Sequence, residues 1–140
     1  MLGQVQLPPE DFGEIRVRKF GILTVMETKI VKDNITMSEL LKLAHEQYGD
    51  VIKAIVDVEQ GIMGVGGELH VDIQSLLIEK EHSRGDMTWG INLYLDKTGD
   101  ELVEFDSMVN LKPASGNRTR GVEDEATRAK IRAIVHKIVK

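Results

Sequence analysis

The stretch WGINLYLDKTGDELVEFDSMVNLKPASGN, Trp89 to Asn117, decides the fold, because it holds two alternating runs joined by a polar turn. Successive strand residues point to opposite faces, so Val103, Phe105, Val109 and Leu111 fall on one face and Glu104, Asp106 and Asn110 on the other. Trp89, Ile91, Leu93 and Leu95 alternate in the same way with Gly90, Asn92 and Tyr94, while Asp96 to Glu101 supply turn chemistry around Gly99. The stretch reads as a β-hairpin with one core face. Its other face gathers Asn92, Tyr94, Glu104, Asp106 and Asn110, which is more hydrogen-bonding and charged material than solubility requires.

Upstream, Thr36 and Glu39 form a T-x-x-E capping box, and Ile35 can staple onto Leu40. A helix therefore starts at Thr36, with Met37, Leu40, Leu41, Ala44 and Tyr48 as its stripe and Gly49 suited to the residue beyond its end. VIKAIVDV, Val51 to Val58, is short and β-branched and reads as a buried strand. Glu59 to Gly61 turn the chain into a second strand, IMGVGG, whose glycines at 64, 66 and 67 permit close backbone approach or a bulge. The following GELHVDIQSLLIEKEH reads as strand to about His70 and then as a short helix capped by Asp72. After the hairpin, Pro113, Gly116 and Gly121 mark a loop. A last helix follows, acidic at Glu123 to Glu125, basic at Lys137 and Lys140, with Ile131, Ile134, Val135 and Ile138 as its apolar stripe.

These elements specify an α+β fold: an antiparallel sheet of four to five strands, two longer helices on its apolar face and a short third helix. Residues 26–140 form one domain. Residues 1–25, with Pro8 and Pro9 and only a loosely alternating run from Ile15, read as an appendage or arm, and Met26 is a candidate alternative start. A chain with 41% hydrophobic and 29% charged residues falls among globular proteins. The lack of cysteine rules out disulfides and thiolate chemistry and fits a cytoplasmic location. No apolar run is long enough to span a bilayer, so no membrane partner is expected. Of the net charge of −5, residues 26–125 carry −10, a balance that repels phosphate backbones and counts against nucleic acid.

With GGELH at 66–70, WGIN at 89–92, EFDSMVN at 104–110 and GNRTRGV at 116–122, residues 27–140 resemble a family of small bacterial and archaeal proteins that carries a domain of unknown function. The resemblance implies a compact single domain. It brings no activity, cofactor or catalytic residue with it.

Three constellations carry chemistry. Glu68, His70 and Asp72 stand at i, i+2 and i+4, which on a strand would turn two carboxylates and an imidazole to one face. The plainer reading is a polar edge with no metal, Asp72 capping a helix and His70 bonded to backbone. Glu104 and Asp106 are neighbours on one strand face, an arrangement suited to acid and base work, with Asn92, Tyr94 and Asn110 as orienting groups. Asn117, Arg118 and Arg120 lie in a glycine-flanked loop able to hold an anion. The same arginines can instead pair with Glu123 to Glu125, or reach Glu104 or Asp106 and fix the loop over the sheet. The leading functional expectation is a self-associating binding module, a homo-oligomer that holds a small polar or anionic ligand on the polar sheet face and arginine loop. The alternative is a small hydrolase, metal-assisted or general acid/base, drawing on Glu68, His70, Glu104 and Asp106. Nothing in the sequence names a cofactor.

Overall fold

Alternation along VIKAIVD places Ile52, Ala54 and Val56 on one side of a strand and Lys53, Ile55 and Asp57 on the other, and this strand sits at the centre of the sheet. A computed structural model of the chain describes residues 14–17, 25–45 and 49–140, with side chains from Thr28 onward. Its elements are β1 (Glu14–Val17), β2 (Val25–Val31), α1 (Met37–His45), β3 (Val51–Asp57), β4 (Ile62–Gly66), α2 (His70–Glu81), β5 (Thr88–Tyr94), β6 (Val103–Glu104) and α3 (Glu125–Ile138). The strands run in the order β1-β2-β4-β3-β5-β6, with every pairing antiparallel. The fold is α+β, with five strands between Val25 and Glu104 and the short β1 added on the outer edge of β2.

Each face of β3 has its own cover. On one side Ile52, Ala54, Val56, Met63, Val65, Ile91 and Leu93 meet Leu40 and Ala44 of α1 and Ile131, Val135 and Ile138 of α3, all essentially inaccessible to water. Burying a side chain of this size contributes about 1.5–3 kcal/mol, so this layer holds most of the apolar stabilisation. Both expected helices thus lie where their stripes placed them. The capping box is formed: Thr36 Oγ1 accepts from the Glu39 N–H at 3.0 Å, and Glu39 Oε1 accepts from the Thr36 N–H at 3.2 Å. The chain end is tied to the start of α1, because the Ile35 N–H donates to the Ile138 carbonyl at 2.9 Å and the Lys140 N–H to the Ile35 carbonyl at 2.8 Å. Tyr48, the expected end of the α1 stripe, lies outside the described residues.

On the other side Ile55 and Ile62 meet Ile73 and Leu77 of α2. Glycine makes this approach possible. A Cβ on Gly64 would stand 2.6 Å from Ile73 Cγ2, and one on Gly90 would stand 2.5 Å from the Ser107 side chain. Two expectations are corrected here. No strand runs to His70, because Gly66 and Gly67, with φ of 90° and 83°, turn the chain off the sheet and α2 begins at His70. Ile73, Leu76 and Leu77 are buried at helical spacing while Leu69 and Val71 stay exposed, so the apparent alternation had no face to serve. Asp72 also does not cap the helix; Leu69 occupies that position and Asp72 lies in the first turn.

Asp57 ties the β3–β4 turn to the end of α2. Its fully buried carboxylate accepts from the Glu59 and Gln60 N–H groups through Oδ1, both at 2.9 Å. Through Oδ2 it accepts from Ser83 Oγ at 2.6 Å and Gln60 Nε2 at 2.9 Å. Much of the reading of residues 1–25 as an appendage concerns positions outside the described residues. The capped and strongly periodic sequence begins only after Met26. A chain starting at Met26 is therefore expected to keep a cooperative thermal transition. Loss of that transition would make the first strand part of the cooperative unit.

Candidate functional site

The hairpin's second run is a strand for two residues only. Glu104 pairs with Asn92 and Val103 with Leu93, after which the chain leaves the ladder and makes a 3-10 turn at Met108–Asn110. This corrects the expected single apolar face. Val103 and Phe105 join the α1/α3 layer, Val109 packs on the α2 side, and Leu111 is exposed. The vacated ladder position is filled by a side chain. Asn110 Oδ1 accepts from the Gly90 N–H at 2.7 Å, and its Nδ2 donates to the Gly90 carbonyl at 3.0 Å and the Arg120 carbonyl at 2.8 Å. A carboxamide is chemically a peptide group, so it replaces the missing strand backbone. Asn117 does the same for its loop, donating to the carbonyls of Asn110 and Gly121 at 2.8 Å and accepting from the Glu123 N–H at 2.8 Å. Both asparagines, expected on a ligand, are buried and engaged by backbone.

That scaffold places Arg120. The Ser107 N–H and Asn110 Nδ2 both hold its carbonyl, and its side-chain Nε donates to Asp106 Oδ1 at 2.7 Å. Of the pairings open to the loop, the one across to the sheet is formed. Arg118 is exposed and has no ion pair among the described residues, while its N–H donates to Glu123 Oε2 at 2.6 Å. The acid at the start of α3 that does meet an arginine is Glu125, with Arg128. The Arg120–Asp106 side chains are about half exposed, at 55% and 45%, so water screens them. A double-mutant cycle of Arg120→Ala and Asp106→Asn is expected to show a coupling of about 0.5–1 kcal/mol, and Arg118→Ala no coupling to Asp106. Equal coupling for the two arginines would contradict this geometry.

Beside Asp106 the polar row continues. Asn92 Nδ2 and the Tyr94 hydroxyl each donate to Glu104 Oε1 at 2.9 Å, and Asn92 Nδ2 also reaches the Asp106 carbonyl at 3.3 Å. Donation to Glu104 holds the Tyr94 hydroxyl above its ordinary pKa, because losing the proton would set two anions together. Lys53 lies opposite Asn92 in the ladder and shares its face. From α2 the His70 ring reaches over this face, its Nε2 2.7 Å from the Ile91 carbonyl. A carbonyl only accepts, so Nε2 carries the proton and Nδ1 presents a lone pair. Burial holds the His70 pKa below its ordinary 6.5, the Ile91 bond opposing and nearby Lys53 reinforcing the shift. The ring is neutral at pH 7.

A cleft of about 310 Å³ opens between α2 and the 107–109 segment, lined by Lys53, His70 and Arg120 together with Leu69, Val71 and Met108. The structure thus brings His70, Asp106 and Arg120 to one place, with Asn92, Tyr94 and Glu104 on the adjoining sheet surface. Glu68 and Asp72 do not line the cleft, because the helix breaks their i, i+2, i+4 alignment with His70. Among the described residues no group of three or more His, Asp or Glu is placed to hold a metal ion. A larger cavity, about 410 Å³, lies beside Trp89 and the start of α3, but Asn117, Glu123 and Asp124 on its wall already serve loop and cap hydrogen bonds. Sequence reasoning missed Lys53 and the apolar rim. The signal for Lys53 was its place as the one charged residue between Val51 and Val56. Leu69 and Val71 were masked by their apparent strand alternation.

Among the described residues no helix is long and apolar enough to cross a membrane. No curated protein and no solved structure matches the chain. A family model does match, over residues 29–138, and its description is protein of unknown function (DUF5674). The match spans the sheet from Lys29 within β2 onward, all three helices and every residue of the cleft, and so the chain belongs to the DUF5674 family.

Proposed function

We propose that the protein is a binding module that takes one small polar ligand in the cleft between α2 and the arginine loop. One observation carries this reading: His70 is fixed by the Ile91 carbonyl in the Nε2–H tautomer, and Nδ1 has no partner among the described residues. The lone pair faces the cleft side of the ring and is open to solvent, where a ligand hydroxyl or N–H could replace water as its donor. Lys53 and Arg120 together with Leu69, Val71 and Met108 give the cleft the mixed lining of a small-molecule site.

The reading is tested by recording backbone amide NMR spectra of the labelled chain against mixtures of small hydroxylated and amide compounds. At least one mixture is expected to shift residues 69–71, 107–109 and 120 together, and His70→Phe to abolish the response. Shifts absent from this group, or shared equally by the α3 surface, would overturn it.

A further inference from the structure

Resting on that cleft reading, we infer that the ligand is a small carboxylate monoanion with an apolar body, held by the Arg120 guanidinium. Arg120 is built as a fixed donor. Its carbonyl is held by Ser107 and Asn110 and its Nε by Asp106, while its two Nη groups have no partner among the described residues. Those terminal N–H groups belong to a planar fork that matches the two oxygens of a carboxylate. Asp106 acts here as a positioning residue, orienting the fork and cancelling one positive charge. The Asp106 carboxylate beside the fork opposes a second negative charge there, which favours a monoanion over a phosphate dianion.

The apolar requirement comes from the rim. Leu69, Val71 and Met108 are 51%, 50% and 62% exposed, and all three border this one cleft. Large apolar side chains gathered at a polar pocket mark a surface that gains by being covered. A volume of about 310 Å³ admits roughly ten water-sized groups, so the body is a short chain or a single ring.

The experiment is an amide NMR titration of the full chain with α-hydroxyhexanoate, which carries the carboxylate, the donor for His70 and an apolar tail. Its methyl ester, glycolate and hexyl phosphate are the comparison probes. Saturable shifts at residues 69–71, 107–109 and the Arg120 Nε are expected with α-hydroxyhexanoate, at least about tenfold weaker with each comparison probe. Arg120→Lys keeps the charge and loses the fork and should weaken binding by about tenfold. Met108→Ser, at an exposed position, should weaken the acid and leave glycolate unchanged. An ester that binds as tightly as the acid, a phosphate that binds more tightly, or no saturable shift from the acid at millimolar concentration overturns the inference. In the first two cases the cleft reading survives; silence at these residues from all four probes and from the mixtures ends both.

Discussion

Asn110→Ala is expected to destabilise the protein by about 3–5 kcal/mol. The substitution removes the partners of the Gly90 N–H and carbonyl, which lie beneath the 107–109 segment, and one of two donors to the Arg120 carbonyl. An orphaned buried polar group costs about 1–3 kcal/mol, and two are created at Gly90 alone. Asn110→Asp keeps the shape and the acceptor but loses both donations and places a charge where exposure is 0%, so it should not rescue. Urea denaturation measures the loss, and the expected sign includes a weakened Arg120–Asp106 contact, since the same amide holds the Arg120 backbone. A cost under about 1 kcal/mol would mean that water replaces the amide at Gly90.

Asp57→Ala should cost a similar amount, about 3–5 kcal/mol, for a different reason. Four donors converge on this carboxylate: two turn N–H groups, the Gln60 amide and the Ser83 hydroxyl. Bonds to a charged acceptor contribute about 1.5–3 kcal/mol each in favourable cases, although these four share one group and do not add. Asp57→Asn retains the two backbone bonds through its oxygen and turns an N–H₂ toward Ser83 and Gln60, so about half the loss is expected. If Asn proves as costly as Ala, the charge and not the turn geometry is the larger contribution.

Much of the fold was legible because its signals are local. Thr36 and Glu39 sit three residues apart and specify their own hydrogen bonds, and the stripe Ile131, Val135, Ile138 needs only a period of 3.6 to declare its buried face. The central strand was equally plain from its β-branched run. What failed was non-local. No periodicity reports that Asn110 will stand in for a strand backbone twenty residues away, so Ser107 to Leu111 kept the look of a strand. Gly66 and Gly67 were recognised as special, yet their effect, turning the chain so that α2 starts at His70, depends on positive φ at both. The site was half legible for the same reason. Polar residues on the hairpin and arginines in the loop could be listed, but which arginine meets which carboxylate is fixed by the Asn110 and Asn117 scaffolds.

The cleft depends most directly on the His70 ring, and nitrogen NMR of that ring across a pH titration tests it. A buried imidazole with a lowered pKa stays neutral while the unfolded chain begins to take up protons near pH 6.5. The folded state then binds fewer protons, so stability falls as pH drops below 6.5 and levels off only under the folded pKa. The predicted spectrum at pH 7 shows a protonated Nε2, a bare Nδ1 and a midpoint below 6.5. A proton on Nδ1, or a midpoint at or above 6.5, would contradict the cleft as described.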